Sequence, residues 1–504
     1  MADDERTNPP NILLVVWDAC RFDYALEHAK FLNELASSNI SFENAIAPSP
    51  WSLPSHASIF SGKLPHQHGS TKFGDSIETP LVQELSSHGY DTFGVSANGF
   101  ASQRTGFHRK FDQFRYTGGR DPFVEGLDVS GKSQDVLRQG DASHRDALLQ
   151  ILQEIPRHKH PLKSVLNLLG VACGEISNKY EVLQNIRHPV FAPTSDYSYN
   201  PQNNTDMIGS LLQNQPADDP FFLFTNYMDT HRCYKPNPEI QKKHLGRTLK
   251  YDELVRLNEE IASPMEFETK KSTNDLNEDD IQTIRGLYAG EVETADKHLS
   301  KIVNLLESEN LRQDTIVIVT ADHGENLGEI DEMGRRRIGH EASVSDAVLR
   351  VPLVISHPKL DAVTIEEEVS LDFLYDLFLS VADGEMPLEN TVRNAISDTA
   401  AVSQYPATGG GDETFEKYPE VSEEVIRHRS LEDSAVAYDD EWKVVAESES
   451  GKWAFERGSS VDVDNAPHEL VEETADLLEL LVGSASPHEL NEEKVSQLED
   501  LGYI

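Results

Sequence analysis

Ser52 stands in the stretch Pro50-Trp51-Ser52-Leu53-Pro54-Ser55-His56, followed by the small and apolar Ala57, Ile59 and Phe60. Pro54 suits a first helical turn, where its missing N–H costs nothing. The pattern predicts a loop turning into a helix with Ser52 at its mouth. There it would lie beside unpaired backbone N–H groups and the positive end of the helix dipole, where an anion binds. A hydroxyl held there can attack a phosphate or sulfate group. The plainer alternative is a Ser52 that only caps its helix.

Other side chains able to do chemistry arrive at the ends of apolar runs. Asn11 to Asp18 is one such run, closing on a carboxylate as a buried parallel strand does when its carboxyl end faces a crevice. An Asp that merely forms the turn gives the same pattern. Pro220 to His231 repeats the design and ends in Asp229-Thr230-His231, and Thr315 to Ala321 delivers Asp322-His323-Gly324-Glu325. Adjacent on a strand, Asp322 and His323 would face opposite ways. At a strand-to-loop junction relieved by Gly324 both can turn onto one ion. Gly339-His340-Glu341 and then the apolar Arg350 to Ser356 complete the series.

The elements that position these residues follow an alternation of strand and helix. Helices are expected near Glu27 to Ser37, from Thr79-Pro80 to Ser87, from Asp279 to Leu306 and from Leu371 to Val381, with a strand over Gly89 to Ser96. Tyr288 and Glu291 read as helix-face residues. Residues 118–204 and 232–272 read as irregular insertions, with His158 and His160 at the surface. Past Asp383 the composition turns acidic, with Gly409-Gly410-Gly411, short strand-like pieces around Trp442 to Ala446 and Trp453 to Phe455, and an acidic helix over 467–504. The expected fold class is α/β, a mostly parallel sheet between helices. The catalytic domain would span 1–385 and a small α+β subdomain 386–504.

Composition narrows the partners. With 44 Lys and Arg against 87 Asp and Glu over 504 residues, the formal net charge is −43. Nucleic acid and anionic membranes would be repelled. The acids are spread along the chain, as on the solvated surfaces of halophilic proteins. Cys20, Cys173 and Cys233 are odd in number and widely spaced, so neither a disulfide framework nor a structural zinc site is indicated. No leader and no run of the roughly 18 apolar residues needed for a membrane span is read, and the expectation is a cytoplasmic protein.

Taken in order, Asp18, the Ser52-Leu53-Pro54-Ser55 loop, Asp229-Thr230-His231, Asp322-His323-Gly324-Glu325 and Gly339-His340 followed by Val351-Pro352-Leu353-Val354 resemble the sulfatase branch of the alkaline phosphatase superfamily, as a haloarchaeal-type acidic member. The resemblance covers about residues 11–385, and the tail Leu501-Gly502-Tyr503 is similar to that family's smaller subdomain. It implies an alkaline-phosphatase-like fold and one divalent metal (manganese, zinc, calcium or magnesium) held by Asp18, Asp322 and His323 beside a nucleophile at Ser52. His231 would then protonate the leaving alkoxide, and His340 would bond the equatorial oxygens or serve as a further acid. His56, Asn98 and Asp229 are the candidate substrate-binding residues. A second metal on Asp229, His231 and His340 is the alternative use of those histidines.

The chain also departs from the family. Sulfatases that oxidise their Cys or Ser to formylglycine carry Arg two residues after the proline, where this chain has His56, so an unmodified Ser52 is expected. The family's Lys-x-His is absent around Val95 to Phe100, Ala19 replaces a second Asp, and His231-Arg232-Cys233-Tyr234 replaces His-x-Pro-Tyr. The expected function is a metal-dependent hydrolase of a sulfate or phosphate ester, acting through a covalent intermediate on Ser52 on a small-molecule, glycan or lipid-headgroup ester. Phosphodiesterase, phosphonate hydrolase and phosphoglycerol-type transferase are alternatives, as is a binding protein without catalysis on the same scaffold. The oligomeric state is left open.

Overall fold

The apolar runs that end in ionisable residues become the centre of one sheet. β1 (Asn11–Trp17) pairs in parallel with β5 (Phe221–Tyr227) on one side and β6 (Thr315–Thr320) on the other, with Trp17 opposite Tyr227 and Val16 opposite Thr320. All three strands are buried at every position, which is why they read as unbroken apolar runs. Their carboxyl ends therefore lie side by side. Beyond β5 come β3 (Asp91–Ser96) and β4 (Gln113–Tyr116), both parallel. Beyond β6 come β10 (Leu353–Ser356), β2 (Ile40–Ile46) and β11 (Val363–Ser370), of which β10 runs against its neighbours. The sheet is thus mostly parallel, as expected, with helices packed on it.

The computed structural model describes residues 9–484 apart from 120, 122, 124–125, 138–141, 180–198, 216–218, 262–276, 387–388, 397–399, 408–431 and 440. Gly409 to Gly411 and the tail beyond 484 lie outside the described residues. Among those described, no helix is long and apolar enough to cross a membrane.

The helix expected from Asp279 to Leu306 runs from Glu278 to Ser308 and buries Leu287, Val292, Leu299, Ile302 and Leu306 along one side. The helix expected over Glu27 to Ser37 is instead two, Phe22–His28 and Lys30–Ala36. Both carboxylate oxygens of Asp296, on the long helix, accept the backbone N–H groups of Phe31 and Leu32 at 2.8 Å, so a remote residue starts the second helix. The apolar stretch Arg350 to Ser356 is likewise cut in two at Pro352, which has no N–H for the ladder: β9 (Arg350–Val351) pairs with β2 before β10 begins.

The two stretches read as irregular are largely helical where described. Residues 118–204 hold helices at Val129–Leu137, His144–Glu154, Pro161–Lys179 and Pro201–Leu212. Pro238–Leu245 and Tyr251–Glu260 follow β5. Their starts are local after all: Ser143 and Asp146 form a capping box, and Asn237 Oδ1 accepts from Glu239 and Ile240 at 3.1 Å. His158 and His160 are half-buried just before Pro161.

After the main sheet, β7 (Asn326–Ile330) and β8 (Arg336–Gly339) form a hairpin. A second, antiparallel sheet follows, in the order β12 (Ala401–Tyr405), β13 (Ser434–Asp439), β14 (Trp442–Glu447), β15 (Gly451–Glu456) and β16 (Ser459–Val461). The helix His468–Ser484 packs on β13 and β14.

Candidate active site

The chain must turn sharply after β1 to leave Asp18 at the strand end. Asp18 donates its backbone N–H to Tyr227 O at 2.9 Å, and Thr230 Oγ1 donates to Asp18 O at 2.6 Å. Ala19 adopts φ 58°, a left-handed conformation that costs a residue with a Cβ about 1 kcal/mol. Its neighbours hold it there. Tyr288 on the long helix donates its hydroxyl to Ala19 O at 2.7 Å and accepts from Arg21 N at 2.9 Å, and Ala19 N donates to Asp322 Oδ1 at 3.2 Å. Tyr288 is therefore a buried brace of the Asp18 turn.

Ser52 is the first residue of the helix Ser52–Ser61, and its side chain does not cap that helix. Its Oγ instead lies 3.4 Å from Asp18 Oδ2 and 3.3 Å from His323 Nε2, and accepts from Asn98 Nδ2 at 3.0 Å. The Asn98 amide also donates to Asp18 Oδ2. Its own Oδ1 accepts from Phe100 N at 2.6 Å, which fixes which end of the amide faces the serine. Asn98 thus joins the cluster, where sequence placed it only as a substrate contact.

His323 donates Nδ1–H to Gly324 O at 2.9 Å, so in the neutral ring the Nε2 lone pair is left to face the two carboxylates, 3.6 Å from Asp322 Oδ2 and 3.8 Å from Asp18 Oδ1. A Cβ at residue 324 would lie 2.2 Å from Ala347 O, so only glycine lets this turn pack. One donor atom each from Asp18, Asp322 and His323 falls within 4.8 Å of the others, and among the described residues this is the one such group of three. Asp18 Oδ1 and Asp322 Oδ2 are buried and have no hydrogen-bond partner. Buried carboxylate oxygens left open in this way fit a divalent cation.

The electrostatics agree. Burial, and then the charge of Asp322, push the Asp18 carboxyl well above its ordinary range. Burial acts on Asp322 in the same sense but is outweighed by His323 and His56, and its carboxyl is held below the ordinary value. Burial takes His323 down to about 4, so the ring is neutral and free to coordinate.

Two more imidazoles continue from His323. The ring of His340 lies 4.2 Å from that of His323, and the ring of His231 lies 5.4 Å from that of His340. His231 donates Nδ1–H to Arg232 O at 2.7 Å, and His340 Nδ1 donates to Glu325 Oε1 at 3.2 Å. Burial, then His340, take His231 down to about 3. Burial works the same way on His340, but the carboxylates of Glu341 and Glu325 outweigh it and raise the ring above its ordinary value.

The remaining candidates sit behind or beside the cluster. His56 is wholly buried, donates Nδ1–H to Ser52 O at 2.8 Å and lies 3.5 Å from Asp322 Oδ2, with Asn226 Nδ2 at 3.4 Å from its other nitrogen. It braces Asp322 from within. Asp229 is buried outside the Asp18–Asp322–His323 group and accepts from the Tyr199 hydroxyl at 3.2 Å. Sequence reasoning passed over Ser55, whose hydroxyl donates to Asp322 O at 2.6 Å, and Thr230, Tyr288 and Glu325. The one signal for them is adjacency: Ser55 and Thr230 lie within three residues of a candidate, and Glu325 ends the Asp322-His323-Gly324-Glu325 run.

The sequence model of the family "Sulfatase" matches residues 10–384. Arylsulfatase K of Mus musculus is 24% identical over 408 residues, covering 75% of this chain and 62% of that protein. The chain thus spans a little over three-fifths of the length of that relative. Among solved structures, the phosphonate monoester hydrolase of Agrobacterium radiobacter aligns with a TM-score of 0.57 at 18% identity, covering 96% of this chain and 98% of that one. A protein solved in complex with its substrate D-glucosamine-2-N,6-O-disulfate aligns with a TM-score of 0.59 at 15% identity, covering 95% and 98%. At these identities the structural likeness speaks to the fold alone.

Proposed function

This chain belongs to the sulfatase family, and on that premise we propose that it is a metal-dependent hydrolase of a sulfate or phosphate ester in which Ser52 attacks directly as an unmodified hydroxyl. One observation carries the reading. The Ser52 hydroxyl ignores the helix it begins and lies within 3.4 Å of Asp18 and 3.3 Å of His323.

Asp18, Asp322 and His323 would hold the cation, whose charge lowers the pKa of a nearby hydroxyl and offsets charge gathering on the ester oxygens. Asn98 orients the Ser52 oxygen through its locked amide. Ser52, its hydroxyl proton released to solvent, bonds through Oγ to the central atom, displaces the alcohol and becomes the esterified residue. The leaving oxygen takes its proton from the His231–His340 pair, in which Glu341 and Glu325 raise His340 above its ordinary value while burial lowers His231. Water then hydrolyses the ester on Ser52.

Between the two ester classes, the unmodified hydroxyl implied by His56, at the position where maturation to formylglycine would want Arg, favours the phosphoric side (phosphodiester or phosphonate), and the family match favours sulfate. Mass spectrometry of the Ser52 peptide tests the direct-hydroxyl mechanism, which predicts the unmodified serine mass; a formylglycine mass would refute it. Turnover of nitrophenyl sulfate and bis-nitrophenyl phosphate, with and without chelator at high salt, tests the reaction class. Failure on both, with every candidate metal supplied, would leave a binding protein on a hydrolase scaffold.

A further inference from the structure

The residues that immediately follow the two outer histidines, Arg232 and Glu341, are joined to each other. Arg232 Nη2 donates to Glu341 Oε1 at 2.8 Å, across 109 positions of sequence, and the two side chains keep only 4% and 15% of their surface accessible. Arg232 follows β5 and Glu341 follows β8, so the pair ties together the two loops that bring His231 and His340 to the site.

The link reaches the imidazole through one atom. The carbonyl oxygen of Arg232 accepts the Nδ1–H of His231 at 2.7 Å. Wherever the guanidinium draws the backbone of residue 232, that carbonyl turns the His231 ring with it. A second brace runs parallel to the first: the Tyr234 hydroxyl donates to Glu325 Oε2 at 3.1 Å, and Glu325 Oε1 accepts from His340 Nδ1 at 3.2 Å. The His231 and His340 loops are thus joined twice, once directly and once through Glu325 on the segment between β6 and β7. A buried ion pair contributes little net stability relative to well-packed apolar side chains.

We infer that the Arg232–Glu341 ion pair is a positioning pair that sets the angle of His231 and its 5.4 Å spacing from His340, so that the leaving oxygen is protonated as its bond to the central atom breaks. This rests on the ester-hydrolase reading above. Neither residue need touch the substrate. Their effect falls on a general-acid step, whose contribution depends on geometry and is typically 10²- to 10⁴-fold.

The test is the dependence on leaving group. Arg232→Met, Glu341→Gln and the double variant are assayed on paired esters, one releasing a nitrophenolate, which leaves without a proton, and one releasing a simple alkoxide, which does not. The expected result is a fall in kcat on the order of tenfold or more for the alkyl ester in each single variant, no further fall in the double, little change in KM and near-normal kcat for the nitrophenyl ester. Arg232→Lys, which keeps a donor toward Glu341, restores part of the loss. Equal losses on both esters, a loss confined to KM, or unchanged kcat on the alkyl ester would each overturn the inference while leaving the hydrolase reading intact. A wild-type protein inactive on every ester sinks the reading itself, and the pair is then tested by the His231 Nδ1–H resonance in labelled protein. Positioning requires that signal to shift or broaden in both single variants; an unchanged signal overturns it.

Discussion

Two of the sites where this molecule gathers a pair of carboxylates solve the resulting repulsion in opposite ways. Where the second sheet meets the main domain, Glu332 and Asp346 converge on Lys443 of β14. Its ammonium donates to Asp346 Oδ1 at 2.8 Å, to Val344 O at 2.8 Å and to Glu332, which uses all three of its hydrogens. Tyr438 and Arg350 add further donors to Asp346. At the carboxyl ends of β1 and β6, Asp18 and Asp322 converge with no lysine or arginine between them. The imidazoles that touch them, His323 and His56, are both held toward their neutral forms by burial. The first cluster carries its cation covalently, and its role is structural. On the function proposed above, the second takes its cation from solution, with the Ser52 hydroxyl beside it.

The largest effects should separate the two clusters cleanly. Ser52→Ala and Asp322→Asn should each lower kcat/KM by at least about 10³-fold, the scale on which removal of a nucleophile or its activating group acts. In metal-free protein the midpoint of urea unfolding should change little for Asp322→Asn. The amide oxygen can still accept from Ala19 and His323, and relief of the repulsion with Asp18 offsets the loss of the charge that His323 and His56 favour. Lys443→Met should do the reverse. It strands two acids without their cation and costs about 3 kcal/mol, at the lower end for a broken buried pair because Asp346 keeps 39% of its side chain accessible. If Lys443→Met abolished turnover with stability intact, or Asp322→Asn unfolded the apoprotein, the contrast would be lost.

How far the sequence foretold this contrast depends on where each signal resides. Asp18, Asp322 and His323 end apolar runs, and because β1 lies between β5 and β6 those runs could be read as neighbours meeting at one crevice. Strands β2 and β11 escaped notice because each buries only some of its positions and carries polar residues between them. The supports of the site were less legible still. Tyr288 reaches Ala19 across 269 positions, Asp296 starts a helix more than 260 positions away, and Lys443 finds Asp346 across 97, none of which leaves a local spacing to detect. Side chains that act on the substrate advertise themselves at strand ends. Side chains that act on the backbone of another element do not.

Supplying a divalent cation sharpens the comparison from the other side. A divalent ion at a hundredfold excess over its dissociation constant should raise the unfolding free energy by about 2.7 kcal/mol through binding to the native state alone. The gain should vanish in Asp18→Asn, which removes a ligand, and persist in Lys443→Met, whose defect lies elsewhere. Thermal or urea midpoints with and without manganese or zinc read it directly. A stabilisation that survives Asp18→Asn would mean the ion binds another site.

The smallest expected effect is the response of the lysine-centred cluster to acid. Burial alone would raise the Asp346 carboxyl, but Lys443 and Arg350 outweigh it and hold it well below the ordinary value. A carboxylate whose folded pKa lies below its unfolded value of about 3.9 stabilises the native state above that pH and loses the contribution as pH falls through the folded pKa. Because the side chain is partly solvated, the loss should stay within about 1 kcal/mol, on the scale of screened ion pairs. In Lys443→Met the chief opposing charge is gone, burial acts with less opposition, and the same acidification should cost less stability or none. Unfolding midpoints between neutral pH and pH 3 for the two proteins measure the difference. Parallel acid slopes would show that Arg350 and Tyr438 suffice to hold Asp346 ionised, and that Lys443 is not the internal counterpart of the cation proposed for Asp18 and Asp322.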